Sequence, residues 1–180
     1  MAREFQPKPP QKGRPKTAPL FAPPTGLIAD PKSLRPRFWE KVALEDMSKP
    51  EWEALCDGCG KCCLNKIEYE DDGSVDFTRV ACRLLDGDTC RCSQYAIRRQ
   101  FVPDCVSLTP EKLPEVAYWL PKTCAYRLAY EGEPLQDWHP LISGDPESVH
   151  RAGISMRGQT VPEYEVSEDD WEDYVIPEGL

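Results

Sequence analysis

Between Leu55 and Cys63 the chain reads Leu-Cys-Asp-Gly-Cys-Gly-Lys-Cys-Cys, a C-x2-C-x2-C-C run that gathers Cys56, Cys59, Cys62 and Cys63. A spacing of three residues lets a tight loop turn successive thiolates toward one point. Gly58 and Gly60 supply the left-handed backbone freedom that such wrapping needs. Their amides can donate hydrogen bonds to sulfur, which stabilises anionic clusters. Lys61 adds a positive charge that favours thiolate over thiol. Cys82, Cys90, Cys92, Cys105 and Cys124 follow downstream.

Thiolate sets of this kind hold zinc or iron–sulfur clusters. A structural four-cysteine zinc site usually shows two separate C-x2-C knuckles, whereas this chain has one tight run and then scattered cysteines. Three thiolates at x2-x2 spacing hold three corners of a 4Fe–4S cluster in bacterial ferredoxins, with the fourth ligand from elsewhere. The expected cofactor is therefore an iron–sulfur cluster, of the 4Fe–4S type by its spacing, or zinc. The expected metal ligands are Cys56, Cys59, Cys62 and Cys63, then Cys82, Cys92 and Cys105. Side chains of sequence neighbours are expected to diverge, so Cys62 and Cys63 suit a single ion poorly, and one of them serves a second metal or stands free. Cys90 and Cys124 receive no role. A redox dithiol at Cys56 and Cys59 lacks the βαβ setting of thioredoxin-type motifs. His139, beside Asp137, resembles an acid/base pair, but a lone histidine is more often structural.

Nine cysteines in 180 residues form an odd set, sparser than a disulfide-stapled secreted scaffold. The N-terminus has no apolar signal segment, so the expectation is a cytoplasmic protein with reduced thiols. No run approaches the ~18 apolar residues of a membrane span. The net charge of −9 is unevenly spread: residues 1–37 carry eight Lys/Arg against Glu4 and Asp30. The acidic remainder makes a poor nucleic-acid surface, and no basic stripe interleaves with Trp119, Trp138 and Trp171, which read as core.

Elements must position the thiols. Residues 1–36 hold nine of the nineteen prolines and read as a basic, disordered leader. Residues 37–160 form the expected metal-binding domain, and 161–180 an acidic segment with a short docking helix carrying Trp171, Tyr174 and Val175 on one face. Phe38 to Leu44 predicts a helix facing inward with Trp39, Val42 and Ala43. Ser48-Lys49-Pro50-Glu51 is a capping box that starts a helix ending near Cys56. Lys66–Tyr69 and Val75–Thr78 flank the turn signal Asp71-Asp72-Gly73-Ser74, and Arg79–Leu85 runs into a second turn at Asp86-Gly87-Asp88. Short helices are expected from Ser93 to Pro103, after Thr109, over Cys124–Tyr130 and before Gly153. The fold class is α+β: a small cysteine-rich domain of short helices and β-hairpins.

The run CDGCGKCC, followed by Cys92-Ser-Gln-Tyr95 with Arg98 and then Pro103-Asp104-Cys105, resembles the CxxCxxCC cysteine-cluster family. That family, also called YkgJ-like, is described as zinc- or iron-chelating. The stretch from Trp119 to Gly158 resembles its YcgN branch of uncharacterised bacterial proteins. The resemblance covers residues 38–160. Many members show C-x-x-Y-x-x-R-P-x-x-C; here Cys92, Tyr95 and Arg98 match, but Arg99 stands in place of Pro and the next cysteine is displaced to Cys105. A flagellin lysine methylase is similar in its cysteine run, although no S-adenosylmethionine pocket is recognisable here.

The leading expectation is a metal-binding protein whose clustered thiolates hold an iron–sulfur cluster or zinc. Two alternatives stand beside it. One is a metal-dependent enzyme acting on a protein or small molecule. The other is a zinc-stabilised interaction module that meets a protein partner through the basic leader or the acidic tail.

Overall fold

A capping box sets the start of the first well-formed helix. Ser48 Oγ accepts from the Glu51 amide, Glu51 Oε2 accepts from the Ser48 amide at 2.9 Å, and helix α2 (Lys49–Ala54) follows. Glu51 is only 1% exposed because it also binds Arg35: the Arg35 amide, Nε and Nη2 all donate to its carboxylate. The computed structural model describes residues 33–177. Most of the expected leader, including the apolar runs at 20–22 and 26–28, lies outside the described residues.

Helix α1 (Phe38–Lys41) is a single turn entered through Arg37 in the left-handed region. That entry turns Phe38 fully into the core at 0% exposed; the expected Trp39 and Val42 pack half-buried against the same core, and Ala43 is exposed. Full burial of such a side chain contributes roughly 1.5–3 kcal/mol. Phe38, Trp52, Leu55, Leu113, Leu120, Ala125 and Tyr126 make the larger core, with Trp52 and Tyr126 ring centroids 4.9 Å apart.

The Asp71–Ser74 turn joins β1 (Leu64–Glu68) to β2 (Val75–Ala81) as an antiparallel pair, with a register shift between Leu64 and Lys66. Two later strands, β3 (Leu85–Asp86) and β4 (Arg91–Cys92), pair across the second turn. Arg79–Ala81 belongs to β2 rather than to that second hairpin. A smaller core of Leu64, Ala81, Cys90 and Met156 lies behind the sheet.

Short helices complete the body: α3 (Arg98–Phe101), α4 (Leu113–Val116), α5 (Ala125–Glu131), α6 (Pro140–Ser143) and α7 (Ser148–Arg151). Gly132 and Gly144 end α5 and α6 with positive φ. The chain then returns through β5 (Val161–Pro162), which pairs in parallel with β2 at Val80 and Ala81. A 3-10 helix over Glu168–Tyr174 follows, after which Val175 bridges Thr78 and the Ile176 amide donates to Phe77 O at 2.7 Å. The architecture is α+β. Among the described residues, no helix is long and apolar enough to cross a membrane.

Candidate metal centre

Helix α2 delivers the cysteine loop from a fixed point. Leu55 is fully buried, and its carbonyl is held by His139 Nε2 at 3.1 Å. His139 Nδ1 accepts from the Leu141 amide, so the ring must be the neutral tautomer with its proton on Nε2. Burial lowers the His139 pKa in agreement with that tautomer. The histidine is thus an anchor for the residue before Cys56, and Asp137 remains exposed. No acid/base pair forms.

From Cys56 the loop is wound by its own side chains and glycines. Asp57 Oδ1 accepts from the Cys59 amide at 2.9 Å. Gly58 and Gly60 both stand at φ 80°. Both positions need glycine for torsion; a Cβ would also push the Arg91 guanidinium aside at Gly58 (2.9 Å from Nη2) and crowd Cys90 Cβ at Gly60 (3.2 Å). The Met156 amide donates to Cys59 O at 2.8 Å and ties the loop to the far end of the domain. Lys61, buried, opens the 3-10 turn Lys61–Cys63 that runs into β1.

Burial raises the pKa of Cys56, Cys59, Cys82, Cys92 and Cys124, and the backbone amides that follow each one (Gly58, Lys61, Leu84, Gln94, and Arg127 with Tyr126) oppose the rise. Amides so placed favour the thiolate. Cys90 differs: it sits with φ 55° inside the small core beside Met156.

Burial raises the pKa of Cys56 and Cys59, and the neighbouring charges of Cys62 and Asp57 raise both further. The sulfurs of Cys62 and Cys63 lie 3.9 Å apart. They do not diverge, because the tight 3-10 turn followed at once by extended Leu64 brings both to one side. The contact with Cys63 and the Lys66 ammonium lower the Cys62 pKa to about 7, and the same contact raises that of Cys63. Lys66 itself is clamped: Nζ lies 5.1 Å from the Phe77 ring centre and 4.7 Å from that of Trp119, and donates to Cys62 O and Leu64 O.

The remaining expected ligands arrive on other elements. The Cys82 amide donates to Cys63 O at 2.9 Å, and Leu85 pairs with Cys92 across β3 and β4. Cys105 is placed by the matched Cys92-Tyr95-Arg98 element. Tyr95 OH donates to Glu53 of α2 at 2.7 Å, and Arg98 stacks 4.2 Å over the Tyr95 ring while donating to Tyr95 O and Ser107 Oγ. The Cys82 and Cys92 charges help raise the pKa of Cys63, and burial with the Cys105 charge raises those of Cys82 and Cys92. Cys124, left without a role by its spacing, is the N-cap of α5, and burial pushes its pKa up to about 12. Its position just before an amphipathic helix was the one signal available for it.

Asp57 was also unmarked by sequence. It is 6% exposed, and its Oδ2 is buried with no hydrogen-bond partner beside the thiols whose pKa it raises. A buried carboxylate oxygen of this kind is costly without a cation nearby. The donor chemistry and this orphaned oxygen together fit a thiophilic metal. Among the described residues, no three Cys, His, Asp or Glu side chains are yet drawn to the spacing of one ion's ligands. The thiols share a neighbourhood rather than a closed coordination shell.

Comparison with known proteins places the chain. The CxxCxxCC family model, whose description is "Putative zinc- or iron-chelating domain", matches residues 55–125, a span that contains every cysteine of the chain. A UPF0260 protein of Rhodobacter capsulatus is 66% identical over 144 residues, covering 80% of this chain and 96% of the relative. The chain belongs to the UPF0260 family. Another UPF0260 protein, from Rhizobium johnstonii, is 61% identical over 139 residues, covering 77% of this chain and 87% of the relative. One from Azotobacter vinelandii is 58% identical over 139 residues, covering 77% and 93%. No solved structure matches. The resemblance carried by CDGCGKCC is borne out, and the UPF0260 relatives span nearly the whole described body rather than the cysteine run alone.

Proposed function

We propose that this UPF0260 protein is a metal-binding protein whose Cys56, Cys59, Cys62, Cys63, Cys82, Cys92 and Cys105 thiolates hold an iron–sulfur cluster or zinc. The observation that carries the reading is the cysteine loop itself, where the Cys62 and Cys63 sulfurs lie 3.9 Å apart and the buried Asp57 Oδ2 has no hydrogen-bond partner. Cysteines serving only as small core hydrophobes have no need of such an arrangement. At Cys56, Cys59 and Cys62 the ferredoxin-like spacing favours iron–sulfur over zinc. All nine cysteines are free, which suits a reducing cytoplasm.

The bound group would supply redox capacity or a structural tie. The chain's own residues would wrap it through Gly58 and Gly60, offset thiolate charge with Lys66, and hold the loop through His139 and Met156. A body of such short elements gains folding energy from metal. Anaerobic purification, an absorption spectrum and metal and sulfide analysis test the reading. Iron with acid-labile sulfide and broad absorption near ~400 nm is the expected result for thiolate-ligated clusters, and colourless protein with stoichiometric zinc the expected result for the zinc form. Protein free of both metals overturns it.

A further inference from the structure

The two adjacent thiols at the end of the cysteine loop form a dithiol. Their sulfurs lie 3.9 Å apart, against about 2.04 Å in a disulfide bond. Cys62 is the one exposed cysteine of the nine, and Cys63 beside it is half-buried. The backbone of Cys63 is held on both sides: its amide donates to Gly60 O at 3.2 Å, and its carbonyl accepts from the Cys82 amide at 2.9 Å. Lys66 Nζ donates to Cys62 O at 3.2 Å and to Leu64 O at 2.8 Å, so a fixed positive charge stands next to the pair. An accessible thiol with a second thiol in reach and a cation beside it is the arrangement of a reversible redox site.

We propose that Cys62 and Cys63 are a reversible redox pair, closed to a disulfide by a small anionic disulfide of the glutathione type. The Cys62 thiolate attacks one sulfur of the incoming molecule, forms a mixed disulfide and releases one glutathione thiolate. Cys63 then gives its proton to solvent and attacks Cys62 Sγ, and the bond to the second glutathione breaks as that half leaves as thiolate. Both leaving thiolates take up a proton. Two protein thiols are thus oxidised to one disulfide while oxidised glutathione is reduced to two thiols. Lys66 offers its charge to the carboxylates of the incoming molecule. Sequence neighbours have Cα atoms about 3.8 Å apart, below the usual disulfide range, so the closed pair is strained and readily reduced again. The inference concerns the loop without metal and does not depend on which metal the thiols hold.

The full chain, as purified anaerobically and again after chelation, is treated with one equivalent of oxidised glutathione, blocked with iodoacetamide and digested with trypsin. Cleavage after Lys61 and Lys66 isolates Cys62–Lys66, which holds both thiols and no other cysteine. The expected product is this peptide unalkylated and two hydrogens lighter, made alkylatable again by dithiothreitol. Cys63→Ser is expected to stop at the mixed disulfide, with glutathione retained on Cys62; a folded variant that takes none overturns the order of attack and the proposal with it. The wild type decides by itself should the variant fail to fold by circular dichroism. A wild type whose two cysteines stay alkylatable in both preparations overturns the pair. So does one in which either cysteine keeps glutathione or is joined to a cysteine of another peptide. Closure at the same rate in the urea-unfolded chain also overturns it, because adjacency in sequence rather than the fold would then set the reaction.

Discussion

His139 holds the carbonyl of Leu55, 84 residues before it, through a 3.1 Å hydrogen bond from a ring that is 1% exposed. The residue after Leu55 is the first cysteine of the run. The imidazole therefore fixes where the cysteine loop begins, while the Leu141 amide aimed at Nδ1 and the burial of the ring keep it neutral.

Replacing His139 by Ala leaves the Leu55 carbonyl and the Leu141 amide without their partner. The expected loss is about 1–3 kcal/mol of stability, read by urea denaturation. The native His139 pKa lies below its ordinary 6.5 because the ring is buried. Unfolding therefore takes up a proton, so this contribution is present above about pH 6.5 and declines as pH falls toward the lowered native value. The wild type should weaken between pH 7 and 5.5 more steeply than His139→Ala; equal slopes would remove the histidine from the account.

Glu51 makes the opposite end of α2 sensitive to stronger acid. The Arg35 guanidinium, with the amides of Ser48 and Arg35, holds its carboxyl far below the usual carboxylate range. The contribution is complete above the unfolded value near pH 4.5 and is lost as pH falls through the native one. Glu51→Gln is expected to cost about 1–3 kcal/mol at pH 7 and proportionately less at pH 3, measured by denaturant melts at both.

Lys66 places its charge beside Cys62, whose pKa is held near 7. In metal-free protein at pH 7, Lys66→Met should raise that pKa and slow Cys62 alkylation, followed by peptide mass spectrometry. Lys66→Arg, which keeps the charge, should restore most of the rate. An unchanged rate in Lys66→Met would assign Cys62 reactivity to its exposure instead.

Gly58 stands in the left-handed region at φ 80°, so Gly58→Ala strains the backbone and also displaces the Arg91 guanidinium. The torsion alone costs roughly 1–2 kcal/mol. Cobalt affinity should fall with stability, whereas Gly73→Ala, at φ 68° in an open turn, should lose stability without losing cobalt.

What the sequence made legible was local. The Ser48–Glu51 box, the turns at Gly58, Gly60 and Gly132, and the Asp71–Ser74 hairpin are each specified within a few residues by cap and torsion chemistry. What stayed hidden depends on pairs far apart. Phe38 became the anchor because Arg37 turns left-handed, which no periodicity signals. His139 near Asp137 looked like chemistry and proved to be a fastening, since its partner is a backbone carbonyl with no sequence signature. Cys124 joined the thiols through the contact between Tyr126 and Trp52. Asp57 reads as one more loop polar residue until its second oxygen is seen buried and unpartnered.

The parallel return of β5 onto β2 has a consequence for handling the chain. Val80 and Ala81 meet Val161 and Pro162, and Thr78 meets Val175, so the far end of the polypeptide shields the strand that leads into Cys82. A version clipped after Gly158 would leave an unsatisfied ribbon edge open to solvent. Such edges recruit copies of themselves, and the shortened protein should sediment as aggregates.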